Sequence, residues 1–106
     1  MSKVRKIRLV EEAEVELWNQ VIYYEKQEFG LGLDFEKEVH TALKFIQENP
    51  RLWNPRKNGC CRFLINRFPY MIHYRIEDEE TIRVWAIAGT SQKPNYWSDR
   101  LILKGQ

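Results

Sequence analysis

The sequence predicts an α+β protein in which a small twisted, mainly antiparallel sheet packs against an N-terminal helical hairpin. Two periodicities support this fold class: apolar residues recur every three or four positions in the first half of the chain, and they alternate with other residues after Gly59. With 106 residues the chain can bury one core, so we expect residues 1–106 to form a single domain. The predicted element order is β-α-α-β-β-β, followed by a short C-terminal piece.

The N-terminal segment is predicted to form a strand and then a helix. Residues 4–10, VRKIRLV, favour a short strand with Ile7 and Leu9 facing inward. From Glu11 to about Phe29 apolar residues occur at helical spacing, which is typical of an amphipathic helix. Its apolar stripe comprises Ala13, Leu17, Val21 and Tyr24, widened by Trp18 and Ile22.

A second helix is predicted after a Gly-Leu-Gly turn. Gly30 and Gly32 are expected to end the first helix, and the second is expected to begin near Leu33 or Asp34. It should end before Asn49-Pro50, because a residue that precedes proline disfavours helical backbone. Its apolar stripe comprises Phe35, Val39, Leu43 and Ile46. Two helices joined by so short a turn form an antiparallel hairpin.

After a loop from Asn49 to Gly59, the chain is predicted to form three strands. Pro69 should separate the first two strands, because proline cannot sit centrally in a ladder. The strands span residues 61–66, 70–76 and 82–88, with a polar turn at residues 77–80 between the last two. Residues 94–103 are expected to hold a last helical turn or two, with Pro94 near its start.

The helical hairpin needs an apolar sheet face to pack on, and strand alternation supplies one. That face is predicted to consist of Tyr70, Ile72, Tyr74, Ile76, Ile82, Val84, Ala86 and Ala88. The opposite face is expected to stay uncovered and to combine cations with flat apolar groups. It comprises Arg62, Leu64, Asn66, Met71, His73, Arg75, Arg83, Trp85 and Ile87.

This uncovered face allows two interpretations. It is either an ordinary solvated face with arginine stems lying over their neighbours, or a surface whose cations neutralise phosphates while Trp85 and Met71 contact bases or a partner's apolar side chains. Trp85 distinguishes the two, because an exposed tryptophan in a basic sheet is hard to explain as solvent surface. His73 is likewise either a general base or one member of this cationic face, where positive neighbours disfavour its protonation. His40 is interpreted as a helix-surface residue.

The charge is unevenly distributed along the chain. The first 48 residues hold seven Lys or Arg and ten Asp or Glu, whereas the remainder holds ten and five. From Asn49 to Ile76 there is no acidic residue at all. The second half therefore favours an anionic partner, either nucleic acid or an acidic protein segment.

Several classes of protein are excluded by what the sequence lacks. No apolar stretch approaches the roughly 18 to 20 residues of a membrane span, and the N-terminus has no apolar signal core, so a cytoplasmic protein without a membrane partner is expected. Cys60 and Cys61 are adjacent, where a mutual disulfide would be strained, so reduced thiols are expected. No Gly-rich phosphate loop, nucleophile elbow or HExxH pattern occurs. We therefore expect no metal and no cofactor.

Most of the chain, from about Glu11 to Leu101, resembles the RelE/ParE superfamily of toxins from type II toxin–antitoxin modules. The matching segments are AEVEL in the first helix, YYE at residues 23–25, GLG, Asn49-Pro50 with Trp53, GCCRFLINRFPYMIHY at residues 59–74 and AIAGTSQKPNYWSDRL at residues 86–101. ParE-like members are most similar, through RFPY and PNYW. The resemblance implies the predicted fold, a bacterial growth inhibitor and a cognate antitoxin that wraps and blocks it. Because such antitoxins carry a separate DNA-binding part, no direct sequence-specific DNA binding is expected of this chain.

The superfamily implies two mechanisms and one inactive alternative. ParE-like members poison DNA gyrase without chemistry of their own, whereas RelE-like members cleave mRNA in the ribosome. For a ribosome-dependent nuclease the candidate catalytic residues are Arg62, Arg75, Lys93 and Tyr96. Residues 89–92 include no Lys, Arg or His, although many relatives have basic residues there, and only Lys93 follows. A nuclease would lack charge stabilisation in this loop, and this favours a ParE-like toxin without hydrolytic activity. A decayed toxin that only binds antitoxin is the third possibility.

Residues that could contact the antitoxin or the target follow from the uncovered face and the matching segments. They are Arg62, Arg67, Met71, His73, Arg75, Arg83, Trp85, Tyr96 and Trp97. For some of the matching residues a packing role is the alternative, in the core or the C-terminal segment: Phe68, Tyr70, Tyr74 and Trp97. Arg67 and Arg100 have an alternative role as partners of acidic residues on the helices.

Overall fold

The computed structural model describes residues 5–93 and 95–104 and confirms the predicted α+β fold. Its elements are β1 (Lys6–Leu9), α1 (Glu11–Gln27), α2 (Leu31–Glu48), β2 (Cys61–Leu64), β3 (Tyr70–Ile76), β4 (Thr81–Gly89) and α3 (Asp99–Lys104). Val4 and Pro94, which were predicted to belong to the first strand and the C-terminal helix, lie outside the described residues. Among the described residues, no helix is long and apolar enough to cross a membrane.

The four strands form one sheet in the order β1-β4-β3-β2. β1 pairs in parallel with β4, and the other neighbours are antiparallel. The helical hairpin forms the connection between β1 and the rest of the sheet, and its apolar stripes face the sheet. Phe35 and Ile46 of α2 are fully buried against this face, together with Ile72 and Tyr74 of β3. The predicted stripe of α1 was too wide, because Trp18 and Ile22 are 45% and 52% exposed.

The hairpin turn is tighter than predicted, because α2 includes Gly32. A Cβ atom at Gly32 would lie 2.4 Å from the carbonyl oxygen of Val21 on α1, so the absence of a side chain allows the two helices to approach. The Glu25 carboxylate accepts hydrogen bonds from the backbone N–H groups of Gly30, at 2.9 Å, and of Gly32, at 3.0 Å. Gly30, with φ +87°, takes the left-handed conformation that turns the chain.

A β-bulge in β4 changes which residues face the helices. His73 pairs with Ala86, but the next residue, Tyr74, pairs with Val84, so Trp85 is an extra residue in its strand. Beyond the bulge the alternation is inverted. The prediction that Ala86 and Ala88 face the hairpin was therefore wrong: Ala86 pairs with His73 and Ala88 with Met71, while Ile87 pairs with Ile72 on the helix side.

Candidate functional site: a cationic cleft on the open sheet face

The sheet face opposite the hairpin, called here the open face, is partly covered by the C-terminal segment. Glu16 of α1 anchors that segment. Its carboxylate forms an ion pair with Arg100, with Nη2–Oε2 at 2.9 Å, and accepts a hydrogen bond from the Tyr96 hydroxyl. Burial raises the pKa of Tyr96, and the hydrogen bond to the carboxylate raises it further. The phenol of Tyr96 is therefore neutral, and its hydroxyl is hydrogen-bonded to Glu16.

Trp97 of the same segment lies over His73. Their ring centroids are 4.7 Å apart, and His73 is only 7% exposed. Burial lowers the pKa of His73 to about 4, and the positive charge of Arg62 lowers it as well, against a weaker opposing effect of Glu16. His73 was predicted to sit on an uncovered face. It is instead a buried, neutral imidazole below a tryptophan.

Beside this pair lies a cleft of about 160 Å³, called here the cationic cleft. It opens between β2, β3, the end of β4 and the C-terminal segment. Three cations line it, Arg56, Arg62 and Lys93, and no aspartate or glutamate is among its described lining residues. The floor and walls are formed by Asn58, Cys60, Met71, His73, Ala88, Gly89, Thr90, Gln92, Asn95, Tyr96 and Trp97. The arrangement can bind an anion, but it offers few groups that could transfer a proton.

The other predicted arginines of the open face lie outside the cleft and are paired. Arg75 and Arg83 both approach Glu77, at 3.3 and 3.6 Å, and lie over the ring of Trp85 with guanidinium carbons 5.2 and 5.4 Å from its centroid. Trp85 is 0% exposed, so the prediction of an exposed tryptophan was wrong. The bulge and the two guanidinium groups bury the ring. Its Nε1 has no hydrogen-bond partner among the described residues.

Arg67 lies at the β2–β3 corner, on the side of the hairpin. It pairs with Asp34 at 3.5 Å and with Glu38 at 3.9 Å, both on α2, and its guanidinium carbon is 5.4 Å from the centre of the Phe68 ring. Its backbone has φ 72°, a left-handed conformation that is uncommon outside glycine. The alternative role for Arg67 and Arg100, pairing with acids of the helices, is confirmed.

The structure thus divides the predicted contact residues into two sets. The cleft brings together Arg62, Met71, His73, Tyr96 and Trp97, whereas Arg67, Arg75, Arg83 and Trp85 lie elsewhere; Lys93, predicted only as a catalytic candidate, also lines the cleft. Arg56 and Asn58 were missing from the predicted set, although the acid-free stretch after Asn49 already indicated a positive field there.

Neither a metal centre nor a reactive thiol is evident at the cleft. Among the described residues, no group of three or more His, Cys, Asp or Glu side chains could hold a metal ion. Cys60 and Cys61 are both free and buried, and burial raises the pKa of Cys60 to about 11. A thiol with so high a pKa is a poor nucleophile at neutral pH.

The helical hairpin on a β1-β4-β3-β2 sheet has a counterpart among solved structures. A solved chain described as "Chromosomal ParDE TA system from P. aeruginosa" superposes with a TM-score of 0.69 at 15% sequence identity, over 81% of this chain and 96% of that chain. Residues 7–94 match the family described as "ParE toxin of type II toxin-antitoxin system, parDE". This protein therefore belongs to the ParE family of type II toxins. No curated protein sequence matches it significantly.

Proposed function

We propose that this ParE-family toxin inhibits growth by binding DNA gyrase, that it catalyses no hydrolysis, and that a cognate antitoxin neutralises it. One observation supports the absence of hydrolytic activity. The cleft has three cations without a carboxylate partner among its described lining residues, but no group that could transfer a proton efficiently at neutral pH. An efficient general base has a pKa near the working pH and reaches its substrate. His73, with a pKa of about 4 and Trp97 above it, meets neither condition.

Tyr96 is the other group in the cleft that could assist proton transfer. Its hydroxyl is committed to Glu16, and its pKa is raised, so its phenolate is inaccessible near neutrality. The remaining functional groups, Arg56, Arg62 and Lys93, can hold an anion and donate hydrogen bonds, but in their charged forms they have no acceptor for a proton. A binding toxin is the function that fits this set.

A cognate antitoxin is expected to cover the part of the open face that the C-terminal segment leaves bare. Leu64 on β2 is 61% exposed and pairs with the half-buried Met71, next to the exposed Arg62. A segment with apolar and acidic side chains would complement this combination. Membership of a toxin–antitoxin family supports the existence of such a partner.

A RelE-like ribosome-dependent mRNA endonuclease remains the second candidate, because Arg62, Lys93 and Tyr96 do meet in one cleft. This mechanism would require Tyr96 to leave Glu16. Arg75, the fourth catalytic candidate, is outside the cleft and pairs with Glu77. Gyrase and ribosomes are both cytoplasmic targets, so we expect the toxin to act in the cytoplasm.

The experiment is a pair of reconstituted assays with the purified chain. DNA supercoiling by gyrase and cleavage of mRNA on ribosomes are measured with the wild type, with Arg62→Ala and with Arg8→Ala, an exposed cation on β1 that serves as the control. We expect supercoiling to be inhibited and mRNA to stay intact. Cleavage of mRNA that is lost in Arg62→Ala but kept in Arg8→Ala would establish the nuclease instead, and activity in neither assay would indicate a decayed toxin.

A further inference from the structure

The basic residues of the second half of the chain fall into two electrostatic groups. Within residues 5–93 and 95–104, Arg67, Arg75, Arg83 and Arg100 each pair with a carboxylate. In the same ranges, five others with described side chains form no ion pair: Arg51, Arg56, Lys57, Arg62 and Lys93. The last four line one continuous surface, whereas Arg51 lines a separate depression. Cations kept free of carboxylates and gathered in one place form a strong anion-binding surface.

That surface extends beyond the cationic cleft. A second, shallower depression adjoins the cleft and shares with it Arg56, Asn58 and Asn95. Lys57 and Asn54 line its far part. We call the two depressions together the cationic groove. No acidic side chain is among its described lining residues, so the positive field is not interrupted along its length.

Amide side chains lie between the cations of the groove. The side-chain oxygen of Asn58 accepts the N–H of Cys60 at 2.9 Å, and that of Gln92 accepts the N–H of Gly89 at 2.6 Å. Each amide therefore has its acceptor engaged and keeps its NH₂ group as a donor. Donors interspersed with guanidinium and ammonium groups match the oxygen atoms of successive phosphates.

The electrostatics of His73 agree with this field. Besides burial, Arg62 on β2 lowers its pKa, and Arg56 on the preceding loop lowers it by less than Glu16 raises it, so cations from a strand and from a loop both act at the floor of the groove. Aromatic surface for base stacking is scarce there, because Trp97 is 2% exposed and Tyr96 is held by Glu16. The groove thus offers contacts to phosphates rather than to bases.

We propose that the cationic groove binds the phosphodiester backbone of a single nucleic-acid strand without reading its sequence. An acidic peptide fits less well, because the outer part of the groove is lined by polar groups and one proline and has no apolar pocket for side-chain anchors. The proposal rests on the proposed function only for the source of the strand: gyrase holds DNA, whereas ribosomes hold mRNA. Strand binding would bring the toxin to the nucleic acid that its target carries.

The test is fluorescence anisotropy with the full chain and labelled oligonucleotides of about 12 nucleotides, in DNA and RNA versions of one mixed sequence. With about four phosphate contacts, log K should fall with log salt at a slope of roughly −2 to −3. Arg62→Ala and Arg56→Ala should each weaken binding roughly fivefold and make the slope shallower by about 0.7. Lys93→Ala should act in the same direction, and Arg8→Ala should bind as the wild type does.

Each outcome bears on the proposal. Groove-dependent binding of DNA, of RNA or of both supports it, and the preferred oligonucleotide identifies the source. Absence of binding, an equal loss in Arg8→Ala, or equally tight binding of a poly-glutamate peptide of matched charge overturns it. Because no gyrase is present, a failure here is distinct from a failure of the proposed function, and circular dichroism of each variant confirms that it is folded.

Discussion

The carboxylate of Glu16 on α1 and the guanidinium of Arg100 on α3 form a two-point ion pair, with Nη1–Oε1 at 3.1 Å and Nη2–Oε2 at 2.9 Å. The same two side chains satisfy one backbone group of the bulge residue in β4 and one just beyond it. Arg100 Nη1 donates to the carbonyl oxygen of Trp85 at 3.0 Å, and Glu16 accepts the N–H of Ile87 at 3.0 Å. The bulge and the C-terminal cover of the open face therefore depend on one ion pair.

Removing Glu16 should destabilise the protein. In Glu16→Ala the partly buried Arg100 loses its counter-charge, and the N–H of Ile87 and the Tyr96 hydroxyl lose their acceptor. We expect the free energy of unfolding, measured with urea, to fall by about 2 to 3 kcal/mol. Glu14→Ala, an exposed position on the same helix, is the control and should change it by less than about 0.5 kcal/mol. Equal effects of the two substitutions would contradict the role of Glu16 as anchor.

Protonation of His73 should make stability depend on pH. Its folded pKa of about 4 lies below the ordinary value of 6.5, so the unfolded chain binds the proton more readily between these values. The contribution of the neutral imidazole to the free energy of unfolding is fully present above about pH 6.5, and it is lost as the pH falls towards 4. Between about pH 7.5 and 5.5 the wild type should lose about 1 kcal/mol more than His73→Gln, measured by urea unfolding. Parallel losses would show that His73 is not buried as described.

Arg62 and Arg75 should differ in the property they affect. Arg75 lies over Trp85 and pairs with Glu77, so Arg75→Ala should lower the free energy of unfolding by about 1 to 2 kcal/mol. Arg62 is exposed and unpaired within the described residues, so Arg62→Ala should leave stability within about 0.5 kcal/mol while reducing growth inhibition. Urea unfolding and plating efficiency after induction measure the two effects. A large loss of stability in Arg62→Ala would assign this residue to the scaffold.

Gly32→Ala should loosen the helical hairpin. The added Cβ would lie 2.4 Å from the Val21 carbonyl oxygen and 2.9 Å from the Cβ of Glu25, so α1 and α2 would have to separate. We expect a loss of about 2 kcal/mol in the free energy of unfolding. Leu33→Ala, at the next and exposed position, is the comparison and should cost far less. Tolerance of alanine at position 32 would mean that the helices do not approach as closely as described.

The order and type of the elements were predictable because each depends on local periodicity. The bulge at Trp85 was not, because the segments YMIHYRI and IRVWAIA each alternate regularly and only their pairing reveals the extra residue. The inclusion of Gly32 in α2 was missed for a related reason, since the contact that requires glycine comes from a different helix.

The candidate site was predictable in part. The positive charge and the residues Arg62, Lys93 and Tyr96 came from composition and from the family resemblance, and the structure places them in one cleft. The burial of His73 and the engagement of Tyr96 depend on Glu16 and Trp97. Glu16 is 80 residues from Tyr96 along the chain, and no local pattern reports such a contact.

The proposed function is tested by inducing the toxin alone in bacterial cells and following labelled precursors into DNA and into protein over the first minutes. A gyrase-directed toxin without hydrolytic activity should stop DNA synthesis first, while translation continues. Cells that express the wild-type toxin and cells that express the Arg62→Ala variant are compared at equal toxin levels. If protein synthesis stops first and mRNA is cut, the toxin is a ribosome-dependent nuclease, and the assignment of the cleft as a binding site without chemistry is wrong.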